Sequence, residues 1–102
     1  MNKDNNFLVR GLVASTPEKK DIGSYELAEV IVKCSTSAKS KGNPQEALIP
    51  VTGWGDTCNE ILALQEGDSV EAFGEIRTRI WTSPQGKEIT FFSFVAERVV
   101  RN

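Results

Sequence analysis

The chain has 102 residues, of which 39% are hydrophobic and 25% charged; that fits a single soluble domain with one core and leaves no room for a second. Its net charge of -2 argues against a protein that holds duplex DNA chiefly by neutralising phosphates, but leaves single strands open, because base stacking does not depend on net charge. With no histidine, the chain lacks Ser-His-Asp and Cys-His nucleophile arrangements; Cys34 and Cys58 are too few for a disulfide framework or a zinc site, and no apolar run is long enough to span a membrane.

Residues 1–5 form a polar leader, and with Asn6 they run straight into a strand without the pattern of a signal peptide, so a cytoplasmic location is expected. Phe7 to Ala14 is a first strand, apolar on both sides of its alternation: Leu8, Leu12 and Ala14 against Phe7, Val9 and Val13. Ser15-Thr16-Pro17 ends it, and Glu18 to Ser24 reads as a polar loop. A second strand from Tyr25 to Ser35 sets Ala28, Val30, Val32 and Cys34 against Leu27, Glu29, Ile31 and Lys33, with both cysteines read as reduced, half-buried residues. The stretch from Ser35 to Gln45, which carries Lys39 and Lys41 among Ser, Gly and Pro, reads as a mobile loop.

Leu48 to Trp54 is a third strand, with Ile49 and Val51 facing one way and Leu48, Thr52 and Trp54 the other; Pro50 cannot donate to a ladder and predicts an edge or a bulge. A helix starts at Asp56, where Thr57 and Glu60 have capping-box spacing and Cys58, Ile61 and Leu62 share a face, and Gly67 supplies its left-handed stop. Such a short helix must plug against a sheet. A fourth strand follows, then the turn Ser83-Pro84-Gln85-Gly86, of type I. The final arm, Lys87 to Val100, is too apolar for one face to hide, so it is either central in a barrel or part of an interface between subunits. Three strands, a helix and two strands make the order of the OB-fold, a five-stranded Greek-key barrel whose faces and loops bind oligonucleotides or oligosaccharides.

The fourth strand carries the chemistry. Alternation sends Gly74, Ile76, Thr78 and Ile80 to one face, and Phe73, Arg77, Arg79 and Trp81 to the other. Rings beside guanidiniums on a rigid strand suit a single nucleic-acid strand, whose bases offer π-faces and whose linkages carry charge. Trp54 is either a core residue or a second stacking ring, flanked as it is by Gly53 and Gly55. Lys33, Lys39, Lys41 and Lys87 are further phosphate candidates, and Arg10 faces either DNA or a subunit partner.

The chain resembles the bacterial and phage single-stranded DNA-binding proteins with one OB domain. The resemblance rests on Leu8-Val9-Arg10-Gly11, Pro17-Glu18, Trp54-Gly55, Leu64-Gln65-Glu66-Gly67-Asp68-Ser69-Val70 and, above all, Gly74-Glu75-Ile76-Arg77-Thr78-Arg79-Ile80-Trp81 followed by Gly86. It implies that Trp81 and Trp54 stack on bases, that Arg77 and Arg79 are the basic pair of the fourth strand, and that first strands pair to make a homotetramer or homodimer. It further implies roles in replication, recombination or repair, with enzymes of those processes as partners, near the nucleoid or encoded by a phage or plasmid. The chain departs from the family in having Leu48 where a third stacking tryptophan is common, and in ending at Arg101-Asn102 without an acidic-tipped tail, either as a tailless version or as the DNA-binding domain alone.

Two other functions compete with sequence-tolerant strand binding. One is a primosome-like OB adaptor that works mainly through proteins; the other is a nuclease using a metal held by carboxylates, for which Asp56 with Glu60 and Glu71 with Glu75 are the nearby acidic pairs. The first pair is better explained by the helix start. Neither a catalytic residue, a metal nor a cofactor is expected, and no membrane partner.

Overall fold

Alternating branched residues favour strands. Six form in the computed structural model, which describes residues 4–102 and, among them, all side chains but those of Ile22 and Arg79. They are β1 (Phe7–Val13), β2 (Glu18–Ile22), β3 (Tyr25–Ser40), β4 (Asn43–Trp54), β5 (Ser69–Thr82) and β6 (Glu88–Arg101), with one helix, α1 (Asp56–Leu62), between β4 and β5. The fold is mostly β with one short helix, as expected, but with six strands where five were expected.

All six strands lie in one mixed sheet, in the order β1-β5-β6-β4-β3-β2. Because β1 also pairs with β3, through Leu12 opposite Lys33 and Val13 opposite Val32, the sheet curls until five strands close on themselves and β2 remains outside as a flap on β3. Every pair is antiparallel except β4 with β6, which run parallel over Val51 to Gly53. Inside sit small branched residues, among them Val30, Val32, Val51 and Val70, each at most 1% exposed, and Ile61 of α1, fully buried, plugs the ring together with Cys58. No helix among the described residues is long and apolar enough to cross a membrane.

The extra strand is the stretch read as a polar loop. Glu18 to Ile22 lies antiparallel to β3, with Ile22 opposite Tyr25. Gly23 at φ 60 supplies the positive φ that a two-residue type II′ hairpin needs at its first central residue. The stretch from Ser35 to Gln45 is likewise no loose loop. It is the end of a long β3–β4 hairpin, closed by Lys41 (φ 53) and Gly42 (φ 81), the two positive values of a type I′ turn. Apart from Ile22 and Ala38 both segments are polar, and their described side chains are exposed, so their strand character comes from cross-strand backbone bonds that hydrophobic alternation does not report.

The helix also departs from expectation. Thr57 and Glu60 do not form a capping box: Gly55 precedes the helix without a side-chain cap, and both side chains reach across to β6. Thr57 Oγ1 donates to the Glu97 carbonyl at 2.8 Å, and Glu60 Oε1 accepts the Val99 N–H at 3.3 Å. They thereby bond backbone groups around the bulge where Gly74 opposes Ala96 and Phe73 opposes Arg98, with Glu97 the extra residue of β6. Gly67 is not the helix stop either. The helix ends at Leu62, and Gly67 turns the chain toward β5 with its N–H on the Val13 carbonyl at 2.8 Å.

Other readings hold. Ser83 accepts the Gly86 N–H at 2.9 Å, closing the expected turn. Opposite Pro50, Ile31 turns its N–H to Ser15 Oγ and its carbonyl to Ala14, away from β4. The donor that Pro50 lacks therefore faces the β6 side, where pairing begins only at Val51: an edge, as its ring requires. Met1 to Lys3 lie outside the described residues, but Asn5 is more than leader, since its carboxamide donates to the Ile76 carbonyl (2.7 Å) and accepts the Ile76 N–H (3.2 Å), prolonging the β1–β5 ladder with a side chain. Cys34 is half-buried, with its thiol pushed up by burial, whereas Cys58 is fully buried rather than half.

Candidate nucleic-acid interface

Residues directly opposed on neighbouring strands project to the same side of the sheet. The register sets Trp54 opposite Leu27, Thr52 opposite both Glu29 and Val95, Arg77 opposite Ser93, and Trp81 opposite Ile89. One outer face therefore spans β3, β4, β6 and β5, carrying Trp54, Arg77 and Trp81 together. Neither ring is enclosed by the core: Trp54 is 37% and Trp81 50% exposed. Trp54 meets the ring of Tyr25 edge-on, with centroids 5.8 Å apart and planes at 87°.

Two open depressions meet along this face. One, of about 630 Å³, is lined by Tyr25, Trp54, Arg77 and Glu97; the other, of about 520 Å³, by Lys20, Thr52, Trp54, Arg77 and Ser93. Trp54 and Arg77 belong to both, so the two form one groove with an aromatic ring and a guanidinium at its middle. Trp81 lies four residues along β5 from Arg77, roughly 13 Å at ordinary strand rise, on an arm that also exposes Ile89 and Phe91.

Three cations among the described side chains of this face are held by neighbouring carboxylates. Arg77 Nε lies 2.7 Å from Glu75 Oε1, Lys20 Nζ 3.7 Å from Glu29 and Lys33 Nζ 4.0 Å from Glu46. The two lysine pairs are exposed and of small net worth, so a phosphate competes with a weak partner there, whereas Arg77 is held by a carboxylate whose side chain is only 16% exposed. The other expected residues separate into groups. Lys33 lies on the same face opposite Leu48, Lys39 and Lys41 sit toward the tip of the β3–β4 arm, and Lys87 at the tip of the β5–β6 arm. The side chain of Arg79 is outside those described, though its backbone stands opposite Phe91. Phe73 and Arg10 are not brought to the groove: Phe73 stands opposite Leu8 and Arg10 is paired with Glu71 at 3.3 Å, on the β1 flank.

Sequence reasoning missed Tyr25 and Lys20. Reading residues 18–24 as a loop hid their alignment with Trp54, although Gly23-Ser24 between Ile22 and Tyr25 is a two-residue hairpin signal. No protein-family model matches the chain, and no curated protein matches it in sequence.

Proposed function

We propose that this face binds single-stranded DNA with little sequence preference, by stacking bases on Trp54 and Trp81 and pairing phosphates with Arg77 and the arm lysines. The observation that carries the reading is the placement of two exposed tryptophans and a guanidinium on one open sheet face. The closed ring of β1, β5, β6, β4 and β3, with a parallel β4–β6 pair and α1 at its end, supports assigning the fold to the OB class, with β2 an addition to it. With the resemblance noted above, we place the chain among the single-stranded DNA-binding proteins of replication, recombination or repair. The acidic pairs of the nuclease alternative have other occupations, since Glu60 accepts from Val99, Glu71 pairs with Arg10 and Glu75 with Arg77.

The test is a titration of intrinsic tryptophan fluorescence with oligo-dT, oligo-rU and duplex DNA. Quenching by oligo-dT and far less by duplex is expected, because paired bases hide their faces. No quenching at low salt would turn attention to the adaptor reading, which Ile80 and Phe92 favour: they are 66% and 74% exposed on the other side of the β5–β6 arm.

Arg77→Ala should flatten the salt dependence of binding by roughly 0.7 in log-log slope. Glu75→Gln should do the opposite to affinity and tighten binding, by releasing the guanidinium from its 2.7 Å partner. Salt titrations of both variants check this; a Glu75→Gln protein that binds no better would mean that the pair does not compete with phosphate.

Self-association as a dimer or tetramer is proposed from the β1 flank. Val9 and Val13 face the core, so a charge at Val9 would unfold the barrel rather than dissociate it. The exposed side is Leu8 (47%), Leu12 (45%) and Phe73 (36%), and among the described residues β1 between Phe7 and Gly11 has a strand partner only in β5. Pairing this edge with a second copy would cover both. Light scattering should give more than the monomer mass for the native chain and the monomer mass for Leu8→Glu; a native monomer at tens of micromolar defeats the proposal.

A further inference from the structure

We propose that the β2–β3 hairpin extends the binding path beyond Trp54, with Tyr25 as a third stacking ring at which the strand turns sharply and Lys20 as its phosphate partner. The inference rests on the strand-binding reading above. Residues 25, 27 and 29 alternate onto the face that carries Trp54, and Lys20 stands in register with Leu27, which stands in register with Trp54. Lys20, Leu27 and Trp54 thus form one row across three strands, with Tyr25 beside it. Tyr25 is 64% exposed, so burial gives the fold little reason to have a large ring there, and the ring lines the groove shared by Trp54 and Arg77.

The angle between the rings sets what they can bind. With planes at 87°, a base stacked on Tyr25 and a base stacked on Trp54 lie nearly at right angles and cannot stack on each other. A strand following the path must therefore break one base step. A thymine strand loses little by this, whereas an adenine strand loses the self-stacking that stiffens it, so a preference for flexible pyrimidine runs should originate at this corner.

Tyr25 has a competing role, that of a prop holding Trp54 in place, and a double-mutant cycle separates the two. Affinities for oligo-dT and oligo-dA of equal length would be measured by anisotropy for Tyr25→Phe, Tyr25→Leu, Trp54→Ala and the Tyr25→Leu/Trp54→Ala pair, with thermal melts confirming that each folds. Tyr25→Phe should bind like the native chain. Tyr25→Leu should weaken oligo-dT binding about 5- to 150-fold, the range of one lost base stack, bring the dT and dA affinities closer together, and cost a similar factor when Trp54 is already alanine. Lys20→Gln should lower the salt slope by roughly 0.7. If Tyr25→Leu is silent in the Trp54→Ala background, Tyr25 is only a prop and the inference falls while strand binding stands; if Tyr25→Phe loses as much as Tyr25→Leu, the hydroxyl and not the ring is the contact, and it falls again. A native chain that binds no single strand removes the strand-binding reading itself, a result distinct from either.

Discussion

Replacing Trp54 and Trp81 together by alanine should reduce affinity for oligo-dT by roughly 2 to 6 kcal/mol, from about 1 to 3 kcal/mol per lost stack. The two losses should add, because the rings stand on different strands, β4 and β5, and the only ring contact of Trp54 among the described residues is with Tyr25. Both are partly exposed, Trp54 at 37% and Trp81 at 50%, so neither single variant should lower the melting temperature much. Anisotropy of a labelled oligo-dT measures the first effect and a circular-dichroism melt the second. A Trp54→Ala protein that melts far below the native chain would make Trp54 a structural residue propped by Tyr25, and the groove would lose its central ring. If both variants bind as well as the native chain, the exposed rings serve another partner.

Gly74→Ala should damage the barrel itself. A Cβ at this position would overlap the Val95 carbonyl oxygen and come within 2.8 Å of the Ala96 Cα, and both are backbone atoms of the paired strand, unable to rotate aside. The position coincides with the β5–β6 register shift, which Thr57 and Glu60 pin from the helix, so the strands have little freedom to part. Overpacking of this kind costs on the order of 3 kcal/mol, and at roughly 4 to 8 °C per kcal/mol for a domain of this size the melting temperature should fall by about 12 to 24 °C. Gly53→Ala meets side chains rather than backbone: its Cβ would come within 2.6 Å of Thr57 Cγ2 and 2.7 Å of Ile61 Cδ1, the first residue tied to the Glu97 carbonyl and the second fully buried, so the helix would have to shift to admit it. A Gly74→Ala protein melting within a few degrees of the native one would show that β5 and β6 separate readily at the bulge.

Much of this architecture is legible in the sequence, because burial imposes its own period on the chain. The alternation Ala28, Val30, Val32 marks the inner face of β3, Ile49 and Val51 that of β4, and Cys58 with Ile61 the inner side of α1; each stands where hydrophobic pattern places it. Turn chemistry at Ser83 to Gly86 and the missing donor of Pro50 are equally local, and both act as residue type alone dictates. The period of β5 likewise separates Gly74 and Ile76 from Arg77 and Trp81 without any knowledge of neighbours.

What the tertiary structure decided is whatever depends on a partner distant in the chain. Polar hairpins such as β2–β3 and the end of β3–β4 are held by backbone bonds between strands, which leave no hydrophobic trace, and so 18–24 and 35–45 resemble loops until their partners are known. Thr57 and Glu60 have the spacing of a cap, yet β6 brings the Glu97 carbonyl and the Val99 N–H within reach of their side chains at its bulge, and those partners win. Phe7, Leu8, Val9, Leu12 and Val13 of β1 are apolar on both sides; only closure of the ring determines that Val9 and Val13 turn inward while Leu8 and Leu12 remain outside. The groove is of the same kind: Tyr25, Trp54 and Arg77 come from three strands, and their meeting depends on ladder register, which hydrogen bonds between distant segments set and which the residues of any one segment do not contain.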